Sequence, residues 1–157
     1  MTKPIPDDFH SITPSIVVSK AGEAMEFYKK AFDAKEIYRF PTPDGKIMHS
    51  MFQIGDSKIM MSDEFTSMGV RSPTTIGGTS VTLHLYVDDA DKIYQKAIDA
   101  GAIVTVPLMD AFWGDRYGVV MDPYGHLWAI ATHKIDMTPE GLRKAGEEYF
   151  SNLSDKN

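Results

Sequence analysis

The stretch Phe27–Ile37, FYKKAFDAKEI, returns as Ile93–Ile103, IYQKAIDAGAI. Tyr28/Tyr94, Lys30/Lys96, Ala31/Ala97, Asp33/Asp99, Ala34/Ala100 and Ile37/Ile103 are identical pairs at a constant spacing of 66 residues, six matches in eleven positions. Working outward, Ala21, Ala24, Met25, Tyr28 and Phe32 lie on one face of a helix, and Ala90, Ile93, Tyr94, Ala97 and Ile98 form a like stripe. A β-branched or alternating run precedes each helix and three more follow it. Strands are expected at Ile12–Val18, Glu36–Phe40, Ile47–Ile54 and Lys58–Ser62, then at Val81–Asp88, Ile103–Val106, Tyr117–Met121 and Leu127–Thr132. Pro43-Asp44-Gly45, Gly55-Asp56 and Asp122–Gly125 supply the turns. The reading is an α+β protein in which a βαβββ unit is used twice. The two units are expected to form one curved, cup-like mixed sheet with helices on its outer face. A C-terminal helix follows, with Thr138 as N-cap and Pro139 at its first position.

This divides the chain into an N-terminal arm (1–10), a first module (11–65), a linker or flap (66–80), a second module (81–135) and a C-terminal helix with its tail (136–157). The linker is rich in Gly, Ser and Thr, which suits a mobile connector. Leu142, Ala145, Tyr149 and Phe150 give the last helix an apolar stripe, to be buried against the sheets' helical side or a second subunit.

Composition narrows the function. The 157 residues are 43% hydrophobic and 24% charged, an ordinary globular balance, with a formal net charge of −6. An acidic chain without a basic run has no footprint for nucleic acid, and no apolar run approaches a membrane span. Cysteine is absent, which removes disulfides, thiolate metal sites and thiol catalysis. A cytoplasmic protein acting on a small molecule is the expectation. There is no hydrolytic triad, no phosphate-binding glycine loop and no zinc-protease histidine pair.

Alternation directs Val81, Leu83, Leu85 and Val87 towards the helices and Thr82, His84 and Tyr86 into the cavity. His49 and Gln53 share a face that is also placed inward. His49 and His84 are the catalytic candidates, with Asp63, Glu64 or Tyr86 as proton-transfer partners. Trp113, in Phe112–Arg116, is placed either to stack a planar ligand or to plug the cavity. Arg116 either pairs an anionic group or ties its own loop. Asp115, His126 and Trp128 read as structural, the methionines Met48, Met51, Met60 and Met61 as core, and His133 as exposed.

The paired units, the Glu26-Phe27-Tyr28 helix core and the Asp122–Gly125 turn resemble the glyoxalase/bleomycin-resistance/dioxygenase group, the vicinal oxygen chelate proteins. His49-Ser50, Ser62-Asp63-Glu64, Ser80–Val87, Phe112–Arg116 and Asp122–His133 are similar to its PhnB-like branch. The resemblance implies a cation held by His or Glu on the first and fourth strands of each unit. The matching positions here are Thr13, Thr82, Ala129 and one residue within Ile59–Met61. Hydroxyls, an alanine and thioether or aliphatic groups do not replace imidazoles and carboxylates. The usual metal site is therefore expected to be missing, and no cofactor is expected.

The leading reading is a small-molecule-binding protein whose cavity is lined by Thr13, His49, Thr82, His84, Tyr86 and Trp113, with Arg116 as a further ligand contact. The alternative is a metal-dependent lyase or isomerase with a divalent ion relocated to His49, His84 and Glu64. A third reading is a non-catalytic dimeric interaction module. If the chain is an enzyme, the resemblance implies a lyase, isomerase or transferase. A homodimer is expected from open sheet edges, the apolar stripe on the last helix and the resemblance.

Overall fold

Helical stripes and strand alternation act locally, and both βαβββ units form where those patterns place them. A computed structural model of the protein describes residues 2–154; residue 1 and residues 155–157, which end the arm and the tail, lie outside the described residues. Module 1 runs β1 (Ser15–Val18), α1 (Ala21–Phe32), β2 (Lys35–Pro41), β3 (Ile47–Ile54) and β4 (Ser57–Asp63). A connector with the single-turn helix α2 (Pro73–Ile76) leads to module 2. That module contains β5 (Thr82–Tyr86), α3 (Ala90–Asp99), β6 (Ile103–Asp110), β7 (Asp115–Met121) and β8 (Leu127–His133), and α4 (Pro139–Ser154) follows it. The sheets are ordered β1-β4-β3-β2 and β5-β8-β7-β6. In each, the first strand runs parallel to the fourth and the other neighbours are antiparallel.

The α+β class, the doubled unit and the C-terminal helix are as expected, with the strands forming two four-stranded mixed sheets. Among the described residues no strand pair joins the two sheets, and the helix-bearing faces of both modules meet in a single core. Trp128, on the helix-bearing face of β8, has its ring centroid 4.5 Å from Phe32 and 5.4 Å from Tyr28 of α1. Tyr28 in turn stacks on Phe52 of β3 at 5.1 Å. The reason is area: each helix covers one sheet face, and pooling the two apolar helix sides removes more surface from water than either module does alone.

The register of the repeat also differs from the spacing that reveals it. Ala21 N donates to Asp63 Oδ1 and Ala90 N donates to Thr132 Oγ1, both at 2.8 Å, so the same helix-start contact recurs 69 residues on (90 − 21). Lys35 and Ile103 open the second strands, 68 apart (103 − 35). Tyr28 and Tyr94 are therefore not equivalent: the Tyr28 hydroxyl donates to Asp122 at 2.7 Å, that of Tyr94 to the Val106 carbonyl at 3.0 Å. The six identities reflect shared helix chemistry displaced by a little under one turn.

Smaller departures have local causes. β1 begins at Ser15, because Pro14 has no N–H to give a ladder, and Ile12 is left exposed. Val81 lies outside β5 and is exposed rather than packed under the helices. β6 runs on to Asp110 through register shifts around Pro107, which an edge strand tolerates. The connector is tied down: Glu64 Oε2 accepts from Ser72 N at 2.9 Å, Ser72 Oγ at 3.0 Å and Thr75 Oγ1 at 2.6 Å. Thr138 caps α4 as expected, accepting from Gly141 N at 3.1 Å, and helix continues through Ser154. Tyr149 and Phe150 of α4 meet Phe112, at 5.2 and 6.2 Å between centroids, yet no α4 residue is fully buried.

Candidate functional site

Strand pairing decides which side chains share the face of the second sheet turned away from α3. His84 is paired with Ala129 and Tyr86 with Ala131 across β5 and β8, while Val119 and Tyr117 of β7 flank the same two alanines. Two methyl groups leave room, and rings lean over them: His84 and Tyr86 lie 4.6 Å apart between centroids, His84 and Tyr117 6.0 Å. Trp113 meets Tyr117 edge to face at 5.0 Å. Both alanines are buried, whereas Tyr86 is 61% exposed. The result is an aromatic platform whose outer ring faces reach solvent.

Asp115 anchors the platform. Its buried carboxylate accepts from Tyr86 Oη at 3.2 Å and Trp113 Nε1 at 3.1 Å through Oδ2, and lies 2.7 Å from His133 Nδ1 through Oδ1. His133 Nε2 is 2.9 Å from Asp136 Oδ1, so the imidazole sits between two carboxylates. Hydrogen bonding to Asp136, then to Asp115, holds the His133 pKa above the ordinary histidine value. Burial, then the Asp115 charge, pushes the Tyr86 hydroxyl up. Because folded His133 binds its proton more tightly than the unfolded chain does, its stabilising contribution is complete below the ordinary histidine pKa and is lost as pH rises through the raised one. The gap in unfolding midpoint between wild type and His133→Asn should be widest below the ordinary histidine pKa and shrink as the pH rises above it. A gap independent of pH would show that His133 is uncoupled from the two carboxylates.

The structure gathers some of the expected residues and separates others. His84, Tyr86 and Trp113 come together on the platform. Thr13, Thr82 and His84 line a pocket of about 310 Å³ between the modules. His49 faces away from α1 as expected, but belongs to module 1, where its Nε2 lies 2.9 Å from Tyr38 Oη with Phe40 beside that ring. Arg116 does not reach the platform: it alternates to the helix-bearing face, where Nη2 and Nε meet Asp91 at 2.9 and 3.1 Å and Nη1 meets Asp110 at 3.4 Å. This pairing lowers the Asp91 pKa and makes Arg116 a tie between β7, α3 and the end of β6. Asp63 is also structural, its Oδ1 taken by Ala21 N and its Oδ2 by Ile47 N at 2.7 Å. His126, read as structural, bridges the modules with Nε2 2.9 Å from the Val17 carbonyl oxygen.

The alternative metal set is not assembled. Among the described residues no three His, Asp or Glu side chains are placed to hold one cation, and Glu64 is committed to Ser72 and Thr75. At the family's usual positions stand Thr13, Thr82 and Ala129, and Met60 occupies in β4 the place of Ala129 in β8. These donors do not fit a hard or borderline divalent ion.

Sequence reading missed Tyr117, Tyr38 and the organising role of Asp115. The signal for Tyr117 was its alternation with Asp115 and Val119, visible once β7 is placed opposite Ala129 and Ala131.

Two βαβββ modules, each a four-stranded mixed sheet with one helix, give the chain a glyoxalase-like fold. The model of the Glyoxalase/Bleomycin resistance protein/Dioxygenase superfamily matches residues 9–130, and the chain belongs to that family. An uncharacterised protein of Mycobacterium bovis is 48% identical over 138 residues, which are 86% of this chain and 91% of that protein. The X-ray structure of an Arabidopsis thaliana gene product superposes with a TM-score of 0.63 at 31% identity, covering 78% of this chain and 98% of that one. A PhnB protein of Bacillus cereus shares the fold at a TM-score of 0.60 and 18% identity, over 78% of this chain and 99% of its own.

Proposed function

We propose that this protein binds a planar small molecule on the platform of His84, Tyr86, Trp113 and Tyr117, without the family's usual metal, and acts in the cytoplasm as a homodimer. The observation that carries the reading is the exposed ring cluster held by one buried carboxylate. Stacking area with few rotatable bonds and a single polar anchor suits a flat, largely apolar guest. The substitution of Thr13, Thr82, Met60 and Ala129 for cation ligands supports binding rather than Lewis-acid catalysis. A cysteine-free chain in which no described helix is long and apolar enough to cross a membrane is consistent with the compartment. Pairing is supported by the unpaired edges of β2 and β6 and the partly uncovered stripe of α4.

The test is a thermal-shift screen of planar aromatic compounds, followed by sedimentation of the complex. At least one compound should raise the unfolding midpoint saturably, quench tryptophan fluorescence and travel with a dimer. Trp113→Ala should remove the binding. Absence of any saturable ligand across a broad panel, or binding undiminished in Trp113→Ala, would overturn this reading.

A further inference from the structure

We infer that the pocket between the modules is a second ligand site, taking a small amphiphile with an apolar body and one carboxylate. Its volume of about 310 Å³ is at the lower end of ordinary small-molecule pockets, roughly 300–1,000 Å³. Ile59, Leu83, Leu85 and Trp128 make its floor, where the edge of one sheet faces the edge of the other. Its rim carries the chemistry. Lys58 is half-buried on β4 and has no ion-pair partner among the described residues; its Nζ rests 4.2 Å from the centroid of the Phe9 ring. His10 and His84 stand on the same rim, also without hydrogen-bond partners among the described residues.

The Lys58 ammonium has a ring face but no paired anion among the described residues, and a carboxylate head placed beside it gains a charge-assisted hydrogen bond; Asp8 is the one acidic residue in the lining. The N-terminal arm covers the opening. Asp8 adopts the left-handed conformation, φ 62°, in a turn closed by Phe9 N donating to the Pro6 carbonyl at 3.3 Å, and that turn brings Phe9 over Lys58. The only side chain common to pocket and platform is His84, so this site stands apart from the planar-ligand reading.

The chain has two tryptophans, so Trp113→Phe leaves Trp128, in the pocket floor, as the sole indole reporter. Octanoate, octanol and octylammonium are titrated into that variant below their self-association limits. Octanoate should change Trp128 fluorescence saturably, with an affinity about tenfold above that of octanol, and octylammonium should be weaker still. Lys58→Met, which keeps the apolar stem, should bring octanoate down to the level of octanol and leave octanol unchanged. Equal affinity for octanoate and octanol, octanoate binding untouched by Lys58→Met, or no response of Trp128 would each overturn the assignment. Loss of planar-ligand binding in Trp113→Phe with octanoate binding retained would separate the failure of the platform from that of the pocket.

Discussion

Asp122→Ala should destabilise the protein by about 3–5 kcal/mol and lower its unfolding midpoint by roughly 6–20 °C. Asp122 is buried in the turn between β7 and β8, and all of its acceptor capacity is used. Oδ2 accepts from Tyr28 Oη at 2.7 Å and Trp128 Nε1 at 2.9 Å; Oδ1 accepts from the amides of Tyr124 at 2.9 Å and His126 at 3.0 Å. The carboxylate thus forms the turn and also ties α1 of one module to β8 of the other. Burial and the adjacent Asp122 charge raise the Tyr28 hydroxyl well above its ordinary value, in keeping with its place as the donor in this pair. Removing the carboxylate strands a phenol and an indole N–H in an apolar core, and each buried orphan costs about 1–3 kcal/mol. Asp122→Asn, which keeps one acceptor oxygen, should lose roughly half as much. Calorimetric unfolding of the three proteins decides it: a loss below about 1 kcal/mol for the alanine variant would mean that water reaches these donors and the tie between modules is dispensable.

Asp115→Ala should weaken binding of a planar ligand at least about tenfold, although its carboxylate is buried beneath the rings rather than exposed to a guest. Its two oxygens hold the Tyr86 hydroxyl, the Trp113 indole and the His133 imidazole, so it acts as a positioning residue for the platform. Without it, Trp113 and Tyr86 regain rotamer freedom that a ligand must remove again on binding. Asp115→Asn retains an acceptor for Trp113 and Tyr86, and should recover much of the affinity while losing the ionic contact to His133. Titration of the screened ligand into both variants, with the tryptophan emission maximum read alongside, tests this. Equal affinity of Asp115→Ala and wild type would show that the rings are positioned by packing alone.

The elements themselves were legible. β3 runs over Ile47–Ile54 as expected, and α4 starts on its Thr138 cap and Pro139, because alternation, turn residues and capping depend on neighbours a few positions apart. The doubling of the βαβββ unit was legible too, although through identities at 66 that the fold does not superpose. On the candidate site, alternation correctly grouped Thr82, His84 and Tyr86 on one face and His49 with Gln53 on another. It did not reveal that those faces belong to separate sheets, nor that Arg116 turns towards Asp91 while Asp115, one residue earlier, turns towards the rings.

From its sequence alone the chain's α+β class, its repeated unit and its lack of thiol chemistry are determined, since each depends on composition or on short-range order. Tertiary structure alone decided that the two helix faces share a core, that Asp122 meets Tyr28 across 94 residues, and that Asp115 collects Tyr86, Trp113 and His133. Those contacts join segments whose separation carries no period. Their geometry follows from how two apolar helix sides pack to minimise exposed surface, a property of the whole chain rather than of any stretch of it.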